Sequence, residues 1–169
     1  MEKAAQEDLT IVEASTSSDY ALGRRLFEEY AREIDVDLCF QDFAAELDRL
    51  TVMYAAPAGA LLLAKAGADV AGCVGLRKFR DDICEMKRLY VRPAFRGKHL
   101  GRRMAEDIAR RAGELGYSTL VLDTLGTMEA AQRLYVSMGF TPAMSYYVNP
   151  LPNVKYFSLD LRKPLRSTG

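Results

Sequence analysis

The chain has 169 residues, 27% of them charged and 49% hydrophobic, which is the composition of an ordinary globular protein long enough to bury its own core. Lys+Arg and Asp+Glu balance at 23 each, so no net field draws the chain toward nucleic acid or an anionic membrane. No apolar run approaches the roughly 20 residues that span a bilayer, and the polar stretch Met1–Asp8 has no apolar secretory core. The three cysteines, Cys39, Cys73 and Cys84, are odd in number and lack a Cys-x-x-Cys spacing. That argues against a disulfide framework or a metal site and fits a reducing cytoplasm, the expected location.

The expected organisation is a flexible N-terminus over residues 1–8 and one domain over residues 9–169. Leu9–Ala14 alternates and reads as a first strand. Ser17 or Ser18 is the expected cap of a helix with an apolar stripe of Leu22, Leu26, Phe27 and Tyr30. Glu33–Gln41 is acidic and breaks that pattern, and a shorter helix then carries Phe43, Leu47 and Leu50. Ala60–Ala64 and Val70–Leu76 read as strands joined by a hairpin turn at Gly67–Asp69. Phe79–Asp82 is a polar connection into a further strand that ends at Val91, with Cys73 and Cys84 in apolar patterns. Leu100, Met104, Ile108 and Ala112 share one face of the next helix, which Gly116 stops. Ser118–Asp123 is a compact apolar strand, and a helix follows from about Met128 to Met138 with Gly139 as its cap. Late strands are expected at Ala143–Val148 and Val154–Leu161. This order implies a mixed α/β sheet.

The stretch Val91–Gly101 places a strand end, a glycine-bearing turn and a helix start in quick succession. Unpaired N–H groups and the helix dipole there make an anion site, with phosphate or pyrophosphate as the natural guest. Gly97-Lys98 is followed by His99 and so is no P-loop, and the glycine spacing is not that of a dinucleotide fingerprint. A tight connection with no ligand is the alternative reading of the turn alone.

Two linked motifs then carry a resemblance. Arg96-Gly-Lys-His-Leu-Gly101, after the strand Glu85–Val91, is similar to the turn Gln/Arg-x-x-Gly-x-Gly/Ala of the GNAT-superfamily acyl-CoA-dependent N-acetyltransferases, with His99 in place of a glycine. Ala131-Gln-Arg-Leu-Tyr135 followed by Gly139-Phe140 resembles the second signature of that family; Met128 stands where an asparagine is common. The resemblance extends over about residues 9–161 and implies the family's α+β fold, a predominantly antiparallel sheet with one splayed parallel strand pair flanked by helices. It implies acetyl-CoA as cosubstrate and no metal. Arg96, Gly97, Lys98, His99, Leu100, Gly101 and Arg102 would cradle the pyrophosphate mainly by backbone N–H groups. Leu89, Tyr90 and Val91 would offer main-chain bonds to pantetheine and the acetyl carbonyl, between Glu85–Val91 and Ser118–Asp123. The side chains of Lys98, Arg102 and Arg103 either meet phosphates or form a solvated face.

The resemblance also implies catalytic residues. Glu85 stands where some members carry a general base, and a solitary acid in an apolar strand is open to a raised pKa. The alternative is a structural ion pair with Lys87 or Arg88. Tyr135 matches the tyrosine that protonates the departing thiolate, the alternative being core packing. Cys84 points to the opposite strand face from Glu85 and is not expected to be a nucleophile. Glu33, Asp35 and Asp37 with Tyr146 and Tyr147 are acceptor-pocket candidates that suit a cationic amine, whereas Arg77 suits a carboxylate. The expected reaction is direct attack by a primary amine of a small molecule. The alternatives are a peptide or protein acceptor and a silent acyl-CoA sensor. No nucleic-acid or membrane partner is expected, and a homodimer is compatible with the family.

Overall fold

The computed structural model describes residues 8–166, so most of the expected loose N-terminus (residues 1–7) and residues 167–169 lie outside the described residues. One seven-stranded sheet runs in the order β1-β2-β3-β4-β5-β7-β6, built from β1 (Leu9–Glu13), β2 (Ala60–Ala66), β3 (Asp69–Arg80), β4 (Ile83–Val91), β5 (Thr119–Leu125), β6 (Thr141–Ala143) and β7 (Val154–Asp160). All neighbours pair antiparallel except β4 and β5. Two apolar clusters cover the two faces. On one, α4 (Leu100–Glu114) buries Leu100, Met104, Ile108 and Ala112, the predicted stripe. On the other, α1 (Ser17–Ile34) seats Leu26 and Phe27 against Leu61, Leu63 and Cys73. The short helices α2 (Phe43–Asp48) and α3 (Leu50–Met53) and the helix α5 (Glu129–Met138) complete the layers. Among the described residues no helix is long and apolar enough to cross a membrane.

Local chemistry moves several predicted boundaries. Thr16, not Ser17 or Ser18, caps α1: its hydroxyl accepts from the Asp19 N–H at 3.1 Å while the Asp19 carboxylate reaches back, a full capping box. The strand β3 continues through Phe79 and Arg80, so the polar turn shrinks to the left-handed Asp81 (φ 46°) and its neighbour. The predicted second helix is broken at Arg49. Only residues 141–143 form the late strand expected at Ala143–Val148. Adjacent strand residues point to opposite faces, whereas Tyr146 and Tyr147 both turn their hydroxyls toward carboxylates on the sheet, Glu85 and Asp123. The chain there is therefore irregular, and Pro150 and Pro152 keep it so by removing backbone donors.

The feature that positions the site is a bulge in β4. Cys73 faces Tyr90 and Gly75 faces Lys87, so two steps along β3 match three along β4. The additional residue sits next to Arg88, whose φ of 60° lies in the left-handed region. The parallel pairing of β4 with β5 ends at Glu85 and Val121, just before the bulge. Arg88 is 6% exposed; its guanidinium donates to both Glu46 oxygens of α2 at 3.0 and 3.2 Å and to Gln41 Oε1 at 2.8 Å. Burial opposes its charge, but the Glu46 carboxylate more than compensates and holds the guanidinium pKa above its ordinary value.

Removing Glu46 would leave a buried unpaired cation, so Glu46→Ala is expected to cost about 3–5 kcal/mol in urea unfolding. The double replacement Glu46→Leu with Arg88→Met should cost less than the single one. A single loss under about 1 kcal/mol would show that the pair does not hold the bulge.

Candidate active site

After β4 the chain makes a 3-10 turn at Pro93–Phe95, an extended Arg96, Gly97 with φ 79° and His99 with φ 58°, and α4 starts at Leu100. A Cβ on Gly97 would meet nothing within 4 Å, so this glycine answers a backbone requirement and leaves open approach from outside. The first helical bond runs from the Arg103 N–H to the His99 carbonyl. Among the described residues, the N–H groups of residues 97–102 therefore have no backbone acceptor, and no side chain caps the helix. A ring of donors at the positive end of a helix dipole is an anion cradle. His99 takes part through its left-handed backbone, the conformation for which a glycine is the usual residue.

The flanking basic side chains divide. Arg96 donates to both Glu33 oxygens at 2.6 and 2.8 Å and to the Val91 carbonyl, bracing the turn against α1. Arg102 donates to Glu106, to Ser137 Oγ and to the Arg166 carbonyl, and Arg103 to the Leu9 carbonyl. The guanidinium groups of both arginines are engaged away from the turn, which leaves Arg102 its amide. Lys98 remains exposed, over the Phe95 ring at 6.0 Å.

From this cradle a cleft runs between the diverging strands. Leu89, Tyr90, Val91 and Gly101 line its outer part with Met128 and Ala131. Its inner part is walled by Lys87, Asp123, Thr124 and Tyr135 and roofed by Leu38, Gln41 and Leu151. The Tyr90 ring packs on the α1 side, so Tyr90 offers the cleft its backbone. Tyr135 is 6% exposed between Phe140 and Phe157, and burial, with Tyr30 and Asp123 adding to it, lifts its phenol pKa above the ordinary value. It stays protonated at neutral pH. The Thr124 hydroxyl is buried in this cleft and has no partner among the described residues.

Beside the inner cleft lies a second cavity, lined by Gln41, Arg77, Phe79, Glu85, Lys87, Tyr146 and Tyr147. Glu85 is 1% exposed and has both oxygens engaged: Arg77 Nε donates to one at 2.8 Å and the Tyr146 hydroxyl to the other at 2.5 Å. The ion-pair partner is thus Arg77, across the β3–β4 register, and not Lys87 or Arg88. Tyr147 donates to Asp123 Oδ2 at 2.5 Å and accepts from Gln41 Nε2 at 3.1 Å. Gln41 Oε1 in turn accepts from Lys87 Nζ at 3.0 Å. Of the acidic candidates, Glu33 braces Arg96, Asp35 ends α1 and Asp37 accepts from the Cys39 amide. Cys84 is fully buried and burial pushes its thiol up to about 12, so it offers no nucleophile. Among the described residues no three His, Cys, Asp or Glu side chains gather to hold a metal.

A family model described as the acetyltransferase (GNAT) family matches residues 22–140. An uncharacterized N-acetyltransferase of Schizosaccharomyces pombe is 44% identical over 142 residues, covering 83% of this chain and 87% of that protein. The chain belongs to the GNAT acetyltransferase family. Solved acetyltransferase structures share its fold. The Staphylococcus aureus acetyltransferase superposes with a TM-score of 0.74 at 17% identity, covering 91% of this chain and 99% of that one. The structure of yncA from Salmonella typhimurium with acetyl-CoA gives 0.68 at 20% identity, covering 93% and 96%.

This GNAT chain brings together the predicted turn, the Leu89–Val91 edge and Tyr135 along one cleft, and sets Glu85 in the adjoining cavity. Sequence reasoning missed Lys87, Asp123, Thr124 and Gln41. The signal for Lys87 and Asp123 was the one applied to Glu85: a charge inside an apolar strand has to be explained by a partner.

The left-handed backbone at His99 is costly for a β-branched residue. His99→Val is expected to lower unfolding free energy by about 1–2 kcal/mol, while His99→Gly changes it little or raises it by up to about 1 kcal/mol. Equal tolerance of both in denaturant titrations would contradict the strain at this position.

Proposed function

We propose that the protein moves an acetyl group from acetyl-CoA to a primary amine of a small molecule by direct attack. The observation that carries this reading is the continuity of the site. One path joins the donor ring at residues 97–102, the open edge of β4 and the cavity beside Glu85. The residues fit the cosubstrate: the ring suits a pyrophosphate, the partnerless Thr124 hydroxyl suits the amide-bearing arm, and the apolar wall of Leu89, Met128 and Ala131 suits its methylenes. Acetyl-CoA, when bound, supplies the activated thioester.

The chain's own residues would do the rest. The β5-facing backbone edge of Leu89–Val91 steadies the acyl oxygen as charge develops on it. Tyr135, protonated at neutral pH and facing the inner cleft, donates to the departing thiolate. Glu85 serves as base through Tyr146: the amine proton passes to the Tyr146 oxygen as the Tyr146 proton passes to the carboxylate that already accepts it. A small acceptor is favoured over a peptide because two loops meet above the strand gap at the Gln41–Tyr147 bond, which narrows the cavity beside Glu85.

Thiol release from acetyl-CoA, followed across a panel of amines, tests the reading. Glu85→Gln and Tyr135→Phe are each expected to lower kcat by about 100-fold or more. Acetyl-CoA affinity by calorimetry should stay within about twofold, because neither side chain touches the anion cradle. An unchanged kcat in either variant would remove that residue's role.

A further inference from the structure

Glu85 opposes Val121 at the last parallel pair of β4 and β5. Two residues further on, Lys87 and Asp123 lie on that same sheet face, one on each strand. A continued ladder would set them about 4.8 Å apart, close enough to form a cross-strand ion pair. The parallel ladder stops at Glu85, just before the bulge at Arg88, and both side chains instead line the inner cleft.

The charges around them are otherwise matched. Arg77 pairs with Glu85 at 2.8 Å and Arg88 with Glu46 at 3.0 Å. Among the described residues Lys87 and Asp123 have no ion-pair partner within 4.0 Å, and what joins them is neutral: Lys87 to the Gln41 amide, Gln41 to the Tyr147 hydroxyl, Tyr147 to Asp123. Lys87 is only 5% exposed, and one of its three donors is used among the described residues. Burial pulls its pKa below the ordinary lysine value, with Glu85 and Asp123 acting against that pull. A buried ammonium with two free donors, at the wall shared by the cleft and the Glu85 cavity, is a binding position for an anionic group. The facing carboxylate suits a cation.

We propose that the acceptor is an amino acid, its carboxylate held by Lys87 and its ammonium group by Asp123 across the gap between the strands. This rests on the amine-acetylation reading and narrows it. The splay that admits the thioester also splits what would have been an ion pair, and the zwitterionic guest completes it from both sides. Arg77, the sequence candidate for a carboxylate partner, is held by Glu85 and takes no part.

The test pairs each amino acid with the amine that lacks only its carboxylate: phenylalanine with phenethylamine, leucine with isopentylamine, arginine with agmatine. With wild-type protein and saturating acetyl-CoA, kcat/KM for the best amino acid is expected to exceed that of its matched amine by about 30-fold or more. Lys87→Met should erase that preference by raising KM for the amino acid alone, and Lys87→Arg should keep part of it. Equal or better turnover of the matched amines, or a Lys87→Met loss that is the same for both classes, overturns the proposal. Calorimetry on the coenzyme A-loaded protein separates this from failure of the reaction itself. Without any thiol release, amino-acid binding that Lys87→Met abolishes supports the clamp and overturns only the transfer reading. No binding of amino acids overturns the clamp. The wild-type comparison does not depend on how well a variant folds, and circular dichroism checks the variants.

Discussion

The Arg88–Glu46 ion pair is the contact on which the geometry of this protein depends. A long side chain at positive φ in the middle of a central strand costs about 1–2 kcal/mol, and a buried guanidinium costs several more unless it is paired. Glu46 and Gln41 meet that demand from the segment between α1 and α3. The rings of Tyr30 and Phe43 flank the guanidinium at 5.8 and 5.1 Å. The bulge is therefore fixed from outside the sheet by elements that also roof the cleft. It sits where β4 has parted from β5 and keeps its antiparallel partner β3.

Two kinds of site follow from that parting. The first is made of backbone: the open edge of β4 and the ring of N–H groups at the start of α4, both of which demand conformation more than side-chain identity. This is why a histidine can stand at position 99, where its left-handed backbone matters and its imidazole is exposed. The second is made of side chains on the α1 face, where Gln41 works as a junction: its oxygen accepts from Lys87 and Arg88 and its nitrogen donates to Tyr147. The loop after α1 and the loop before β7 meet there, so the same amide that steadies the bulge also borders the cavity beside Glu85.

The sequence carried the backbone part of this well. The stripe Leu100, Met104, Ile108 and Ala112 and the glycine turn before it place α4 and its uncapped start. The second motif located Tyr135. The side-chain part was less legible for physical reasons. The sequence offers Lys87 or Arg88 as ion-pair partners of Glu85, but its partner Arg77 lies across a strand register that local periodicity does not fix. Arg88 and Glu46 are 42 residues apart, and nothing in either segment announces the pairing. The strand expected at Ala143–Val148 failed because apolar and aromatic residues there have β-like composition, while their hydroxyl groups are drawn to carboxylates on one face. Composition reports what a segment can become, and the long-range polar partners decide what it does become.

In the proposed reading the open strand edge of β4 and the uncapped start of α4 form one continuous seat for an acyl-CoA. Amide hydrogen exchange with and without acetyl-CoA measures it most directly, because exchange reports on the backbone N–H groups themselves. Binding is expected to slow exchange at residues 97–102 and along Leu89–Val91, with little change in β1 and β2. Absence of binding, or protection confined to other parts of the chain, would contradict the account.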